Sequence, residues 1–281
     1  MTAPFKRLAV ALTLSPTGRA LLQEARRLSD LFSAELRLFH VSKHSGDESH
    51  LKDIVRQSGL DTSSLEIIRQ SRDPAGAILK RAKEEGIDLL IVGALEKENI
   101  LRFYLGSVAR TIMRRSSCSV LFFVKPSERP IGFRNIYVFV EYSTTGENTV
   151  RTAQQVALLE GAAELHLLRD FYIPGLTLVS EDSRSTEAGR HLRSVTQREE
   201  KQMMEMFVRP LNLKGLNLSL ESLYGRGGWE ASNYVREHHA DLYVVPASDH
   251  EPKILDRLFP SSIEHVFEHL PSNVLLVKAG A

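Results

Sequence analysis

The chain has 281 residues, 42% of them apolar and 25% charged, a soluble globular composition with room for one large or two smaller domains. The 36 Lys and Arg against 35 Asp and Glu give a net charge of +1, which removes any global electrostatic pull toward nucleic acid or an anionic membrane. Cys118 is the only cysteine, which excludes an internal disulfide and fits a reducing cytoplasm.

The chain opens on MTAPFKRLAVALTLSPTGRA. A basic pair precedes the apolar run Leu8 to Leu14, at the lower limit for a secretory signal, but no small-x-small cleavage site follows. A strand over Arg7 to Ser15 is predicted, then an amphipathic helix over Thr17 to Ser33, with Ala20, Leu21, Ala25, Leu28 and Phe32 on one face. Next come a strand over Ala34 to Val41 and the run Leu79 to Gly93, where a helix ends shortly before an Asp that opens a fourth strand. Ser107 is predicted to cap a helix, and Ser119 to Lys125 to form a buried closing strand.

The same order then repeats. Arg134 to Ser143 matches the first strand, Glu147 to Glu160 the first helix, and Ala163 to Asp170 the second strand. Ser232 to Pro246 matches Leu79 to Gly93, and Asn273 to Lys278 is a second closing strand. The stretch Lys125 to Phe133, with two prolines and a glycine, reads as the linker. Two features look peculiar to the second half: an irregular segment, Asp170 to Gly189, and a long polar helix, His191 to Val208. Strands alternating with helices, in Ile/Leu/Val runs without a period of two, predict an α/β fold of two tandem doubly wound parallel sheets. The expected domains are residues 1–125 and 134–281, joined by 126–133.

The pattern resembles tandem universal stress protein domains over about residues 5 to 125 and 134 to 278. Nucleotide-binding members end the fourth strand in Gly, two residues, Gly, nine residues, then Gly and Ser or Thr. Gly93, Glu96, Gly106 and Ser107 keep that spacing, with Glu in the middle glycine position. Thr13 stands where such members carry a nucleoside-contacting Asp, and Ser15 matches. The resemblance therefore implies a candidate nucleotide site of Thr13, Ser15, Val41, Gly93, Gly106, Ser107 and Val108. In the second half Glu141 replaces the Asp, Pro246 the first glycine and Pro260 the last, so no nucleotide is expected there.

Chemistry pulls the first-half site both ways. Ligands of a doubly wound sheet sit beyond the carboxyl ends of the strands, and a helix opening at Ser107 offers an anion seat there. A Glu96 carboxylate 4 to 5 Å from a phosphate charge, however, costs about 3 to 4 kcal/mol at an effective dielectric near 20. Two functional readings follow: a non-catalytic stress-response module that acts through protein partners and holds no cofactor, or an ATP- or AMP-binding regulator, with magnesium, that uses only the first domain. The closing strands Val120 to Val124 and Val274 to Val277 are expected to pair within the chain as an intramolecular pseudo-dimer, with a further homodimer left open.

Other motifs carry less. His265 to His269, HVFEH, fits an inverted zinc-protease pattern, but Val266 and Phe267 suit a core face and no downstream helix can bring a third ligand, so no metal is expected. GRGGWE, Gly225 to Glu230, reads as a turn into a helix with Trp229 as a packing residue. His238 and His239 are placed at a helix end, where a cation suits the dipole. Arg114 and Arg115 beside Cys118 raise the question of a lowered thiol pKa. No catalytic constellation appears, and weak ATP hydrolysis is the most an enzyme reading allows.

Overall fold

A computed structural model describes residues 2–42, 47–69, 73–96, 103–173, 187–225, 229–247, 266–267 and 269–278. The first half runs β1 (Arg7–Ala11), α1 (Gly18–Phe32), β2 (Glu35–Ser42), α2 (Asp47–Gln57), β3 (Leu65–Arg69), α3 (Pro74–Glu84) and β4 (Leu89–Gly93). A small hairpin, β5 (Leu95–Glu96) and β6 (Phe103–Tyr104), leads to α4 (Ser107–Arg115) and β7 (Ser119–Phe123). The second half runs β8 (Ile136–Phe139), α5 (Thr144–Glu160), β9 (Glu164–Phe171), α6 (Glu187–Val208), β10 (Asn217–Tyr224), α7 (Trp229–Glu237), β11 (Leu242–Pro246) and β12 (Asn273–Val277).

Ten strands form one sheet, in the order β10-β9-β8-β11-β12-β7-β4-β1-β2-β3. Neighbours within each half are parallel. Each half thus carries the 3-2-1-4-5 order of a doubly wound unit. The halves meet where β12 pairs antiparallel with β7, Val274 opposite Phe122 and Leu276 opposite Val120. That pairing removes two apolar edges at once, as the sequence led us to expect.

Both sheet faces are covered, which explains the unalternating apolar runs. One core gathers Leu8, Val10, Leu38, Val138 and Leu275 under α1, α2, α5 and α6. The other gathers Phe39, Leu90, Phe122, Tyr243 and Leu276 under α3, α4 and α7.

The repeated Asp has a local reason. Asp88 accepts from the N–H groups of Lys6 (2.7 Å) and Arg7 (3.1 Å), and Asp241 accepts from those of Arg134 and Asn135, both at 2.8 Å. Each carboxylate thus ties the start of its half's fourth strand to the start of its first. Asp88→Ala and Asp241→Ala are each expected to cost about 1.5–3 kcal/mol, the range for bonds to a charged group, read from urea unfolding midpoints.

Several expected bounds shift. β1 stops at Ala11 rather than Ser15, because after the Leu12 N–H bond to the Phe39 carbonyl (2.8 Å) the chain turns into α1. β8 likewise ends at Phe139. α5 starts at Thr144, not Glu147, because Ser143 Oγ caps it by accepting from the Gly146 N–H (3.0 Å). The long helix does have a first-half equivalent: α6 fills the connection that α2 fills, with 22 residues against 11. The linker is packed down, not loose. Phe133 is buried against Phe123 (6.1 Å) and under the Arg27 guanidinium (4.9 Å), and the Ser127 N–H donates to Glu24 (3.2 Å).

Candidate functional site

Parallel pairing brings Thr13, Val41 and Gly93 to one edge of the sheet, at the carboxyl ends of β1, β2 and β4. Thr13 Oγ1 lies 2.9 Å from Ser15 Oγ, which lies 3.2 Å from Thr17 Oγ1, an exposed row of hydroxyls. Leu12, just past the end of β1, is held through its carbonyl by His40 Nδ1 (2.9 Å), whose other ring nitrogen is buried without a partner among the described residues. A methyl on Gly93 would meet only Leu21 Cδ2 at 3.5 Å, an ordinary contact.

The start of α4 differs from expectation. Gly106 is the N-cap, with φ −63 and ψ 170, and Ser107 is the first helical residue. Glycine has no side chain to cap with, so no side-chain acceptor closes the first turn, and Arg110 N–H makes the first helical bond, to Gly106 O (2.9 Å). The N–H groups of Ser107 and Val108, at the end of the helix that no side chain caps, are the local feature that an anion would use. Gly106 packs close to a protein neighbour: a methyl there would come within 2.8 Å of Leu95 Cδ1, the tip of a half-exposed side chain that would have to move aside. The hairpin that carries Leu95 is itself anchored to the second half. Phe103 is 9% exposed, its carbonyl accepts from the Leu270 N–H (3.2 Å), and Lys125 Nζ sits 5.1 Å over its ring. The Glu96 side chain lies outside what is described, as do residues 97–102.

The universal stress protein family model matches residues 44–124 and 132–278. The chain belongs to the universal stress protein family. Universal stress protein A homolog 2 of Coxiella burnetii is 26% identical over 137 residues, which cover 42% of this chain and 93% of that protein. A solved universal stress protein from Archaeoglobus fulgidus covers 97% of this chain and 98% of its own, at 16% identity and a TM-score of 0.65. A Pseudomonas aeruginosa chain of the same family name covers 98% and 93%, at 18% identity and a TM-score of 0.70. These two show the same fold over the whole length.

Within this universal stress protein fold, the second-half edge is built differently from the first. Arg169 on β9 takes the place of His40: its Nη1 donates to the Val140 carbonyl (2.9 Å) at the end of β8. The guanidinium lies 4.0 Å over the Tyr142 ring, and its Nε donates to Glu200 of α6 (2.7 Å). Tyr142 also donates to Glu200 (2.6 Å), and burial together with that carboxylate holds its phenol well above the ordinary range. Ser143 Oγ donates to Glu141 Oε1 (3.0 Å). The pairing of Arg169 with Glu200, 31 residues apart, carried no motif by which to find it.

The other motifs resolve as follows. Cys118 is buried, and burial pushes its thiol pKa up; Arg114 and Arg115 do not lower it. Its alkylation by iodoacetamide at pH 7.5 is expected to be slow in the folded protein and to speed up in urea. Val266 and Phe267 are buried as a core face, while His265 and Glu268 lie outside the described residues. Among the described residues no cluster of His, Cys, Asp and Glu suits a metal. α7 does begin at Trp229, but the indole is 48% exposed and packs only in part; residues 226–228 lie outside the description, as do Pro260 and residues 174–186 of the irregular segment. α7 ends at Glu237, and His239 turns left-handed (φ 50) just after it. A cavity of about 400 Å³ lies at the opposite edge of the sheet, lined by Arg7, Glu35, Arg37, Glu84, Glu85 and Ile87. It offers mutually paired charges, with Arg37 3.7 Å from Glu85, and none of the motif residues. No described helix is long and apolar enough to cross a membrane.

Proposed function

We propose that the chain is a non-catalytic cytoplasmic stress-response module of two units, residues 1–125 and 134–281 joined by 126–133, which acts through protein partners and holds no resident nucleotide. The observation that carries this reading is that protein groups engage both strand-end edges. In the second unit Arg169, Glu200 and Tyr142 satisfy one another beside the end of β8. In the first, the hairpin between Gly93 and Gly106 is committed to Leu270 of the other unit. The β7–β12 pairing supports an internal pseudo-dimer in place of association through those strands. The outer face of α6, with Leu192, Met203 and Met206 at 43%, 50% and 69% exposure, is the surface this reading offers to partners.

A second reading, ATP or AMP with magnesium in the first unit, is favoured by the uncapped start of α4 and the hydroxyl row from Thr13. Calorimetric titration of ATP with magnesium into the wild type and Glu96→Gly separates the two. The first reading expects no wild-type binding tighter than a Kd of about 1 mM. Micromolar binding by the wild type would overturn it; micromolar binding by Glu96→Gly alone would mean a sound frame that Glu96 closes.

A further inference from the structure

Four rings from three elements meet near the amino ends of the second unit's strands. Tyr137 on β8 and His166 on β9 are opposite one another in register, and their rings stack at 4.4 Å and 16°. Tyr234 in α7 and His238 just beyond it, four residues apart, stack at 3.8 Å and 20°. The two stacks touch: Tyr137 meets Tyr234 edge-on at 6.1 Å and His238 at 6.5 Å. Tyr137 is 3% exposed, so the far end of α7 is seated on the sheet through this cluster.

We propose that these rings form an acid-sensitive latch, which holds the last turn of α7 on the sheet while His166 is neutral and releases it when His166 takes a proton. The groups facing His166 are Tyr137 from β8, Glu164 from its own strand, Glu221 from β10 and His238 from just beyond α7, with Tyr234 behind Tyr137. Glu164 Oε2 lies 3.7 Å from His166 Nε2 and favours the charged ring, as does Glu221. Burial opposes them and wins, and a charge on His238 adds to it, so the His166 pKa lies below its ordinary value. His238 Nδ1 is 2.9 Å from the Tyr234 carbonyl. A carbonyl only accepts, so the His238 ring donates from Nδ1 and ties itself back to α7. A proton on His166 puts charge into this half-buried cluster, and the end of α7 lifting away returns that charge to water. A base whose folded pKa is depressed stabilises the fold above its unfolded value, about 6.5, and that contribution is lost as pH falls through the folded pKa.

α7 carries the chain's only tryptophan, Trp229, in its first turn, and Asp170 at the end of β9 accepts from the Ala231 N–H there (2.9 Å). Loosening at one end is therefore readable at the other. The test is amide hydrogen exchange over residues 229–240 at pH 7.5 and 5.5, corrected for intrinsic rates, with Trp229 fluorescence alongside. The wild type is expected to lose protection about tenfold at pH 5.5, while β8 and β9 stay protected, and His166→Phe, which keeps a stacking ring, is expected to lose none. Equal protection at both pH values in the wild type, or an acid loss that persists in His166→Phe, would overturn the proposal. Should His166→Phe not fold, an NMR titration of the wild type decides. A His166 inflection below the ordinary value with α7 amides shifting in step supports the latch; an ordinary or higher inflection, or silent α7 amides, overturns it.

Discussion

Arg27→Met is expected to destabilise the protein by about 3–5 kcal/mol and to loosen the two halves from each other. Arg27 of α1 donates to Glu160 of α5 at 2.7 Å, across the junction of the units, and sits 3.5 Å from Glu24. Both carboxylates are buried, at 6% and 5% exposure. Without Arg27, Glu160 loses the guanidinium that faces it and Glu24 keeps the Ser127 N–H alone, so most of the offset to their desolvation is gone. Arg27→Met combined with Glu160→Leu is expected to recover most of the loss, because breaking a buried pair costs more than replacing it. Burial raises the Glu24 pKa despite the Ser127 N–H and Arg27, so its favourable contribution is present below pH 4.5 and is lost as pH rises through the folded value. Glu24→Gln is therefore expected to be neutral or stabilising at pH 7 and to flatten the pH profile. Urea midpoints from pH 4 to 8 check all three variants.

Gly146→Ala is the second large effect, expected at about 3 kcal/mol, with Gly18→Ala similar. A methyl on Gly146 would overlap the carbonyl oxygen of Glu141, and one on Gly18 the carbonyl oxygen of Thr13. Both obstacles are backbone, at equivalent places where the first helix of each half returns past the end of its first strand. No side-chain rotation relieves the clash. Gly93→Ala is the contrast: it meets one Leu21 methyl at ordinary distance and is expected to change stability by less than about 1 kcal/mol, although Gly93 belongs to the motif. Thermal unfolding of the three variants side by side tests whether backbone approach or motif membership sets the cost.

The architecture was legible because it rests on periodicity and repetition. Unalternating apolar runs follow from a sheet covered on both faces, and the repeated Asp before the fourth strand follows from two N–H groups that need an acceptor. The two closing strands pair as their apolar composition demanded. The candidate site was legible only as a set of residues along an edge: Thr13, Val41 and Gly93 do converge at the carboxyl ends of three adjacent strands. What converges between distant segments was not legible. Glu200 reaching Arg169 and Tyr142, Phe103 bridging to Leu270, and Glu160 reaching Arg27 are long-range polar choices with no local pattern. The cap at α4 was misassigned by one residue because Gly106 and Ser107 are both acceptable N-cap residues, and the extended ψ of Gly106 decides between them.

The most direct test of an unliganded module is to purify the full chain without added nucleotide, denature it, and analyse the released small molecules by mass spectrometry. The account predicts no ATP, ADP or AMP above the level of an unrelated protein purified in the same way. Near-stoichiometric adenine nucleotide would contradict it, and would mean that the uncapped start of α4 seats a phosphate after all.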